Sequence, residues 1–213
     1  LYIEGVGFFC QQTTALLIIS NQVETIIHKT LLNSGAKTNV TEATPDLNDA
    51  TNQVLKIFSD HFQFLYESNL ITYTRNVRVE DSQMTLTCDV LNIYLTTNKT
   101  IQRITAENHV VIVNQRDNSR ATGDHAVYIV EPDREFVQLS GNPTWSDGQR
   151  IGTADVFVLD RKKNIFRAET NAVFKLPRAQ IGQPSLLSAT ATVSTNASAE
   201  KPVVISADVV SFY

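Results

Sequence analysis

The chain has 213 residues and 23.7 kDa, is 42% hydrophobic and only 19% charged, and so carries the apolar mass for a packed core rather than a disordered tail. Its net charge of −4 leaves no Lys/Arg surplus to track a phosphate backbone, which argues against nucleic-acid binding. No apolar run approaches the ~18 residues of a membrane-spanning helix. The 23 Thr, 21 Val and 16 Ile favour pleated surfaces and the 16 Asn favour turns, so the composition points to an all-β chain. A start at Leu1 without an initiator Met reads as a processed or excised piece.

In chain order, residues 1–29 are strand-like and are followed by a polar, turn-rich insert at 30–56. Within it, Pro45 and the acidic residues after it allow a short helix somewhere between Thr41 and Phe58. Alternation then sets in. Phe62, Phe64 and Tyr66 share one face, Val77 and Val79 flank an outward Arg78, and Met84, Leu86, Cys88 and Val90 alternate with polar neighbours. The apolar parity switches to Leu91, Ile93 and Leu95, which predicts a bulge or bend near Val90. The segments VVIV (110–113) and AVYIV (126–130) are apolar on both faces, so their inward residues are not fixed by pattern. A second linker spans 178–202, and 203–213 reads as one more strand.

An internal repeat runs through these segments. A small residue followed by Asp precedes alternating apolar residues at Asp60, Asp89, Asp124, Asp155 and Asp208. Between these stand Asn76, Asn108, Asn142 and Asn171, with Asp-to-Asn offsets of 16, 19, 18 and 16 residues. A two-strand unit cannot bury its apolar face alone, so such units are expected to stack. Asp and Asn suit recurring turns because they cap backbone N–H groups and tolerate left-handed backbone, which places all nine at strand ends. Turn chemistry also accounts for the five Asp without a catalytic or ligand role.

The run TYTRNVRVEDSQMTLTCDVLNIYL, then ITAENHVVIV, RATGDHAVYIV and QLSGNPTWSDGQRIGTADVFVLD, resembles the OstA-like domain of lipopolysaccharide-transport proteins. The resemblance rests on Asn76-Val77-Arg78-Val79, Cys88-Asp89, the stretch Ala121 to Tyr128, and Leu139-Ser140-Gly141-Asn142-Pro143, and it covers residues 57–177. Arg75 stands where the family pattern usually has Gly. The likeness implies an all-β, V-shaped jellyroll of stacked antiparallel strands. It makes 1–29 the end of a preceding repeat and 203–213 the first strand of a further one. It also implies a periplasmic location, acyl chains of lipopolysaccharide or a similar acylated glycolipid held between the sheets, and edge-strand pairing with other OstA-like proteins or with further copies of the chain. Whether the protein is tethered to the inner membrane by a segment absent from this chain is open.

The groove candidates are the strand-apolar residues Phe62, Phe64, Val77, Val79, Leu86, Leu91, Ile93, Val110, Ile112, Val127, Ile129, Val156 and Val158. In a closed sandwich they are core; in a splayed one they line an acyl-chain slot. No cofactor, metal or enzymatic role is expected. His61 and His125 lack the spacing of a metal pair, Ser140-Gly141 lacks a G-x-S-x-G elbow, and GVG at 5–7 lacks a dinucleotide-binding context. Cys10 and Cys88 read as isolated residues rather than a disulfide, and the Arg161-Lys162-Lys163 tip as a solvated turn. A scaffold module without lipid and a carbohydrate-active repeat enzyme are the alternatives. The first requires a sealed core, the second clustered carboxylates.

Overall fold

The Thr- and Val-rich segments are extended, as their alternation dictates. The computed structural model describes residues 2–28, 54–130, 135–160, 162–163, 165–177, 192–194 and 202–212. They form β1 (Tyr2–Gln11), a 3-10 turn (Gln12–Thr14), β2 (Leu16–His28), β3 (Val54–Ser59), β4 (His61–Leu65), β5 (Leu70–Glu80), β6 (Met84–Leu95), β7 (Ile101–Asn114) and β8 (Arg120–Val130). These are followed by β9 (Glu135–Ser140), β10 (Thr144–Ser146), β11 (Ile151–Thr153), β12 (Val156–Asp160), β13 (Ile165–Leu176), β14 (Thr192–Ser194) and β15 (Val203–Phe212). Every pairing is antiparallel, and all fifteen strands join one continuous sheet. Residues 54–58, within the window that allowed a helix, are strand; the rest of that window and most of the 178–202 linker lie outside the described residues. The segments 1–29 and 203–213 contribute β1, β2 and β15 to this same sheet, β15 along β13.

One line of bends folds the sheet into two leaves. In β5, Arg75 and Asn76 both have positive φ (66° and 51°), and the register slips there against Asp89 of β6. Asn108–His109 of β7 (62°, 51°), Gly141–Asn142 after β9 (78°, 52°) and Thr170–Asn171 of β13 (61°, 53°) repeat the device. Two left-handed residues opposite one residue make a bulge that turns the strand. The single residue opposite each pair is a repeat Asp. The Asp60 N–H donates to the Arg75 carbonyl (3.0 Å), Asp124 to Gly141 (3.2 Å) and Asp155 to Thr170 (2.9 Å). Side chains tie the same pairs: Asn76 Nδ2 donates to Asp60 Oδ2 (2.6 Å), and Asn171 Nδ2 to Asp155 Oδ2 (2.9 Å).

This corrects the expected place of the repeat residues. Asp60, Asn142 and Asp155 lie in breaks between short strands, whereas Asn76, Asp89, Asn108, Asp124, Asn171 and Asp208 lie inside long ones. They are bends within strands because each long strand crosses from one leaf to the other. At β7 the side chain that pairs with Asp89 is His109, not Asn108; Nδ1 and Oδ2 are 2.8 Å apart. The pair is therefore spaced by 20 residues rather than 19.

The register fixes what faces inward. In the first leaf the inner row runs Thr25, Ile57, Val79, Leu86, Ile112, Ala121, Trp145, Gly152, Phe174 and Ile205. In the second it runs Ile19, Phe62, Tyr73, Leu91, Ala106, Ala126, Leu139, Phe157, Ala168 and Val210. Both rows belong to one core cluster or pack against it, except at Thr25 and Gly152, which contribute a hydroxyl and no side chain.

Candidate functional site

The two inner rows do not have constant volume. In the second leaf, Phe62 and Tyr73 stand at one end and Phe157 at the other, with Ala106 and Ala126 between them. In the first leaf, Ala121 stands directly before Trp145. Three alanines on adjacent strands leave space that their neighbours cannot fill, and the result is a cavity of about 540 Å3. Its walls are the apolar faces of both leaves, including Leu55, Ile57, Met84, Ile104, Val137, Leu139, Leu159 and Phe166.

At both ends of this chamber bulky side chains of the two leaves meet. At one end the Tyr73 hydroxyl, from the second leaf, donates to Thr25 Oγ1 of the first at 3.0 Å, both side chains being fully buried. Phe62 meets the Tyr73 ring edge-on at 5.2 Å. Burial raises the Tyr73 pKa, so the hydroxyl keeps its proton as a donor. At the other end Trp145 and Phe174 of the first leaf face Phe166 and Phe157 of the second, with centroids 6.0 Å apart for Trp145–Phe166 and 6.4 Å for Phe157–Phe174. Gly152 makes room for this cluster, since a Cβ there would collide with the Phe174 ring.

Among the described residues, the polar part of the lining lies at the tips of the leaves. Asp81, Gln83, Asn114 and Ser119 form it on the first leaf, Tyr128 and Glu135 on the second. Asp81 Oδ1 accepts from the N–H groups of Gln83 and Met84, both at 2.7 Å, which shapes the β5–β6 turn. The Tyr128 hydroxyl donates to Glu135 Oε1 at 2.9 Å. No described lining residue is Lys, Arg or His.

Of the groove candidates, Val79, Leu86, Leu91, Ile93, Ile112 and Val127 border the chamber. Val77 and Val110 are buried at the bend behind it. Phe62 and Phe64 sit in the packed end beside Tyr73 and Ile71. Ile129, Val156 and Val158 have the opposite parity to Tyr128 and Phe157 and face outward; Val158 is buried but stands outside the core cluster. A one-residue change of register moves a strand's whole set to the other face, and AVYIV and VFV read equally well either way. Pattern reading missed Ala106, Ala121, Ala126 and the aromatic wall. Alanine carries no alternation signal; the lone Trp in the short segment TWS was the available cue.

The chemistry considered for other functions is dispersed. The repeat acids occupy the bend, and three of them, Asp60, Asp89 and Asp155, are engaged by Asn76, His109 and Asn171. Among the described residues no group of three His, Cys, Asp or Glu is placed to hold a metal. Cys10 is exposed and Cys88 buried, both free, and burial pushes the Cys88 thiol up to about 12. A smaller polar hollow of about 360 Å3 lies beside the bend, lined by Glu4, Gln22, Glu24, Asp60 and Asn76 among others.

Residues 56–165 match the family described as "LptA/(LptD N-terminal domain) LPS transport protein". Among solved structures the chain is similar to LptH from Pseudomonas aeruginosa, described as the LptA-homologous periplasmic component of the lipopolysaccharide transport device. The identity is 15%, the TM-score 0.48, and the alignment covers 61% of this chain and 88% of that one. No curated protein sequence matches. The family match spans more than half of the 213 residues and the folded, antiparallel sheet carries it, so the chain belongs to the LptA/LptD N-terminal-domain family of lipopolysaccharide-transport proteins.

Proposed function

We propose that this chain is a periplasmic carrier module that holds acyl chains of lipopolysaccharide, or of a similar acylated glycolipid, in the chamber between its leaves. The observation that supports this most is the chamber itself: about 540 Å3 lined by aliphatic side chains of both leaves, in a chain of a lipopolysaccharide-transport family. Burying acyl methylenes there removes apolar surface from water at ~25 cal/mol per Å2. The polar border at the leaf tips leaves a hydrated headgroup in contact with solvent. A scaffold role needs no such space, and small residues in a core that serves packing alone forfeit dispersion contacts.

Partner contact belongs to the same reading. β1 pairs on one side only, with β2, and the 209–212 half of β15 only with β13, among the described residues. Phe8 on β1 and Val209 on β15 are large, apolar and exposed. Unpaired strand edges of this kind accept a strand from another chain, here a related transport module or a second copy. Native mass spectrometry of protein purified without detergent from a lipopolysaccharide-producing cell tests the carrier reading. A mass increment equal to an acylated glycolipid is expected. Bare protein, unchanged after incubation with purified lipopolysaccharide, overturns it.

A further inference from the structure

We infer that β14 is a displaceable guard strand: the chain lays its own Thr192–Ser194 on the edge of β15 that a partner strand would take, so strand addition at this end of the stack requires β14 to leave. The inference rests on the partner-contact reading above and adds a control to it.

β14 is unlike the other pieces of the sheet. Every layer from β1 to β15 reaches both leaves, either as one long strand such as β1, β6 or β15, or as two short ones such as β3 with β4. β14 has three residues, pairs only with β15, and follows the first leaf alone, with Thr192, Val193 and Ser194 opposite Ser206, Ile205 and Val204. Its pairing stops short of the bend at Asp208, where β15 crosses to the second leaf. Among the described residues, the outer edge of β15 is therefore covered at 204–206 and uncovered at 209–212. β1, at the opposite end of the stack, has no such cover among the described residues.

A strand this short is a weak cover. Its few backbone hydrogen bonds replace bonds to water, so each adds little. Connectivity is what keeps it in place: only residues 195–203 separate Ser194 from its opposite number Val204, and a short tether gives a high effective concentration at the edge. Thr192 and Val193 also favour extended backbone. An untethered strand from another chain wins only by pairing with more of β15. It docks at the uncovered 209–212 half and then replaces β14 residue by residue over 204–206. If β14 is off the edge for a fraction f of the time, the N–H groups of 204–206 that face away from β13 are protected from exchange by a factor 1/f. A donor that needs the whole edge is weakened by that same factor. Two independent measurements therefore report one quantity.

Hydrogen exchange and peptide binding on the full chain test this. Successive N–H groups point to opposite sides of a strand, so Thr192→Pro/Val193→Pro removes whichever of the two donors faces β15. Thr192→Gly/Val193→Gly weakens the strand by entropy and serves should the first variant not fold. Circular dichroism and a thermal melt establish folding. The donor is a fluorescent synthetic peptide of residues 2–11, the sequence of β1, carrying Cys10→Ser. In the wild type the N–H groups of 204–206 that face away from β13 are expected to exchange on the order of tenfold more slowly than those of 209–211, after correction for intrinsic rates. The variants should lose that difference and bind the peptide more tightly by the same factor. Equal exchange of the two halves in the wild type, or a folded variant that binds the peptide no more tightly than the wild type, overturns the guard and leaves edge pairing in place. A peptide bound by neither wild type nor folded variants overturns the edge-pairing reading, and the guard with it.

Discussion

Asn171 holds φ at 53° while its side chain bonds Asp155, so one residue supplies both the backbone shape and the clamp of a bend. Left-handed backbone costs most L-residues ~1–2 kcal/mol, and Asn much less. Asn171→Ala should therefore destabilise the chain by about 2 kcal/mol, the strain plus a lost hydrogen bond, and Asn171→Gly by about half of that. Urea unfolding measures both; an Ala variant no worse than the Gly variant would show that the bend is not strained. His109 gives the corresponding pair at Asp89 a pH dependence. The hydrogen bond to Asp89, helped by its charge, raises the His109 pKa above the ordinary value. A raised pKa stabilises the fold below the unfolded value of about 6.5, and that contribution fades as pH rises through the folded value. The pair is exposed, so the effect is small and salt-sensitive. The melting temperature of the wild type relative to His109→Asn should be highest near pH 5 and converge by about pH 9. A difference that does not change with pH would rule out the charged pair.

At the scale of strands, the two leaves are joined at the bend and also by contacts across the core. The Tyr73–Thr25 bond is one of these, and both groups are fully buried. Thr25→Val should cost ~1–3 kcal/mol, because it strands a buried phenolic hydroxyl. Adding Tyr73→Phe should recover part of that loss, since removing both partners leaves no orphan. A double variant no more stable than Thr25→Val alone, read by chemical denaturation, would contradict this. The alanine rows make the opposite prediction. Ala126→Leu points into open space rather than into a filled core, so it should leave the melting temperature within a few degrees while reducing dansyl-undecanoic acid affinity severalfold. A collapse in stability with full binding would mean that the chamber lies elsewhere.

For the whole molecule, among the described residues, the stack ends in open edges at β1 and at the 209–212 half of β15. Strand addition at these edges predicts a sedimentation coefficient that grows with concentration. Removing β15 is a poor test, because it uncovers the fully buried Phe174 and Ala168. Phe8→Lys and Val209→Lys add charge at exposed positions of the edge strands and keep the core intact. Each should abolish concentration-dependent growth with an unchanged melting temperature. A wild type that stays monomeric at every concentration removes edge pairing from the account.

The sequence by itself determined the secondary structure, the stacking and the family likeness, because strand formation and turn chemistry are local and leave period-2 alternation and recurring Asp and Asn. It also placed the bulge near Val90, which lies opposite the bend pairs of β5 and β7. The tertiary structure decided three things. It made the repeat residues bends inside strands rather than strand ends, since the chain's crossing between leaves depends on pairing with non-local neighbours. It turned Val156, Val158 and Ile129 outward, since register is set by the partner strand and those segments are apolar on both faces. And it made the chamber, which arises because Ala106 of β7 and Ala121 and Ala126 of β8 share their rows with bulky residues of strands distant in sequence, such as Tyr73 and Phe157, so that no single segment records the missing volume.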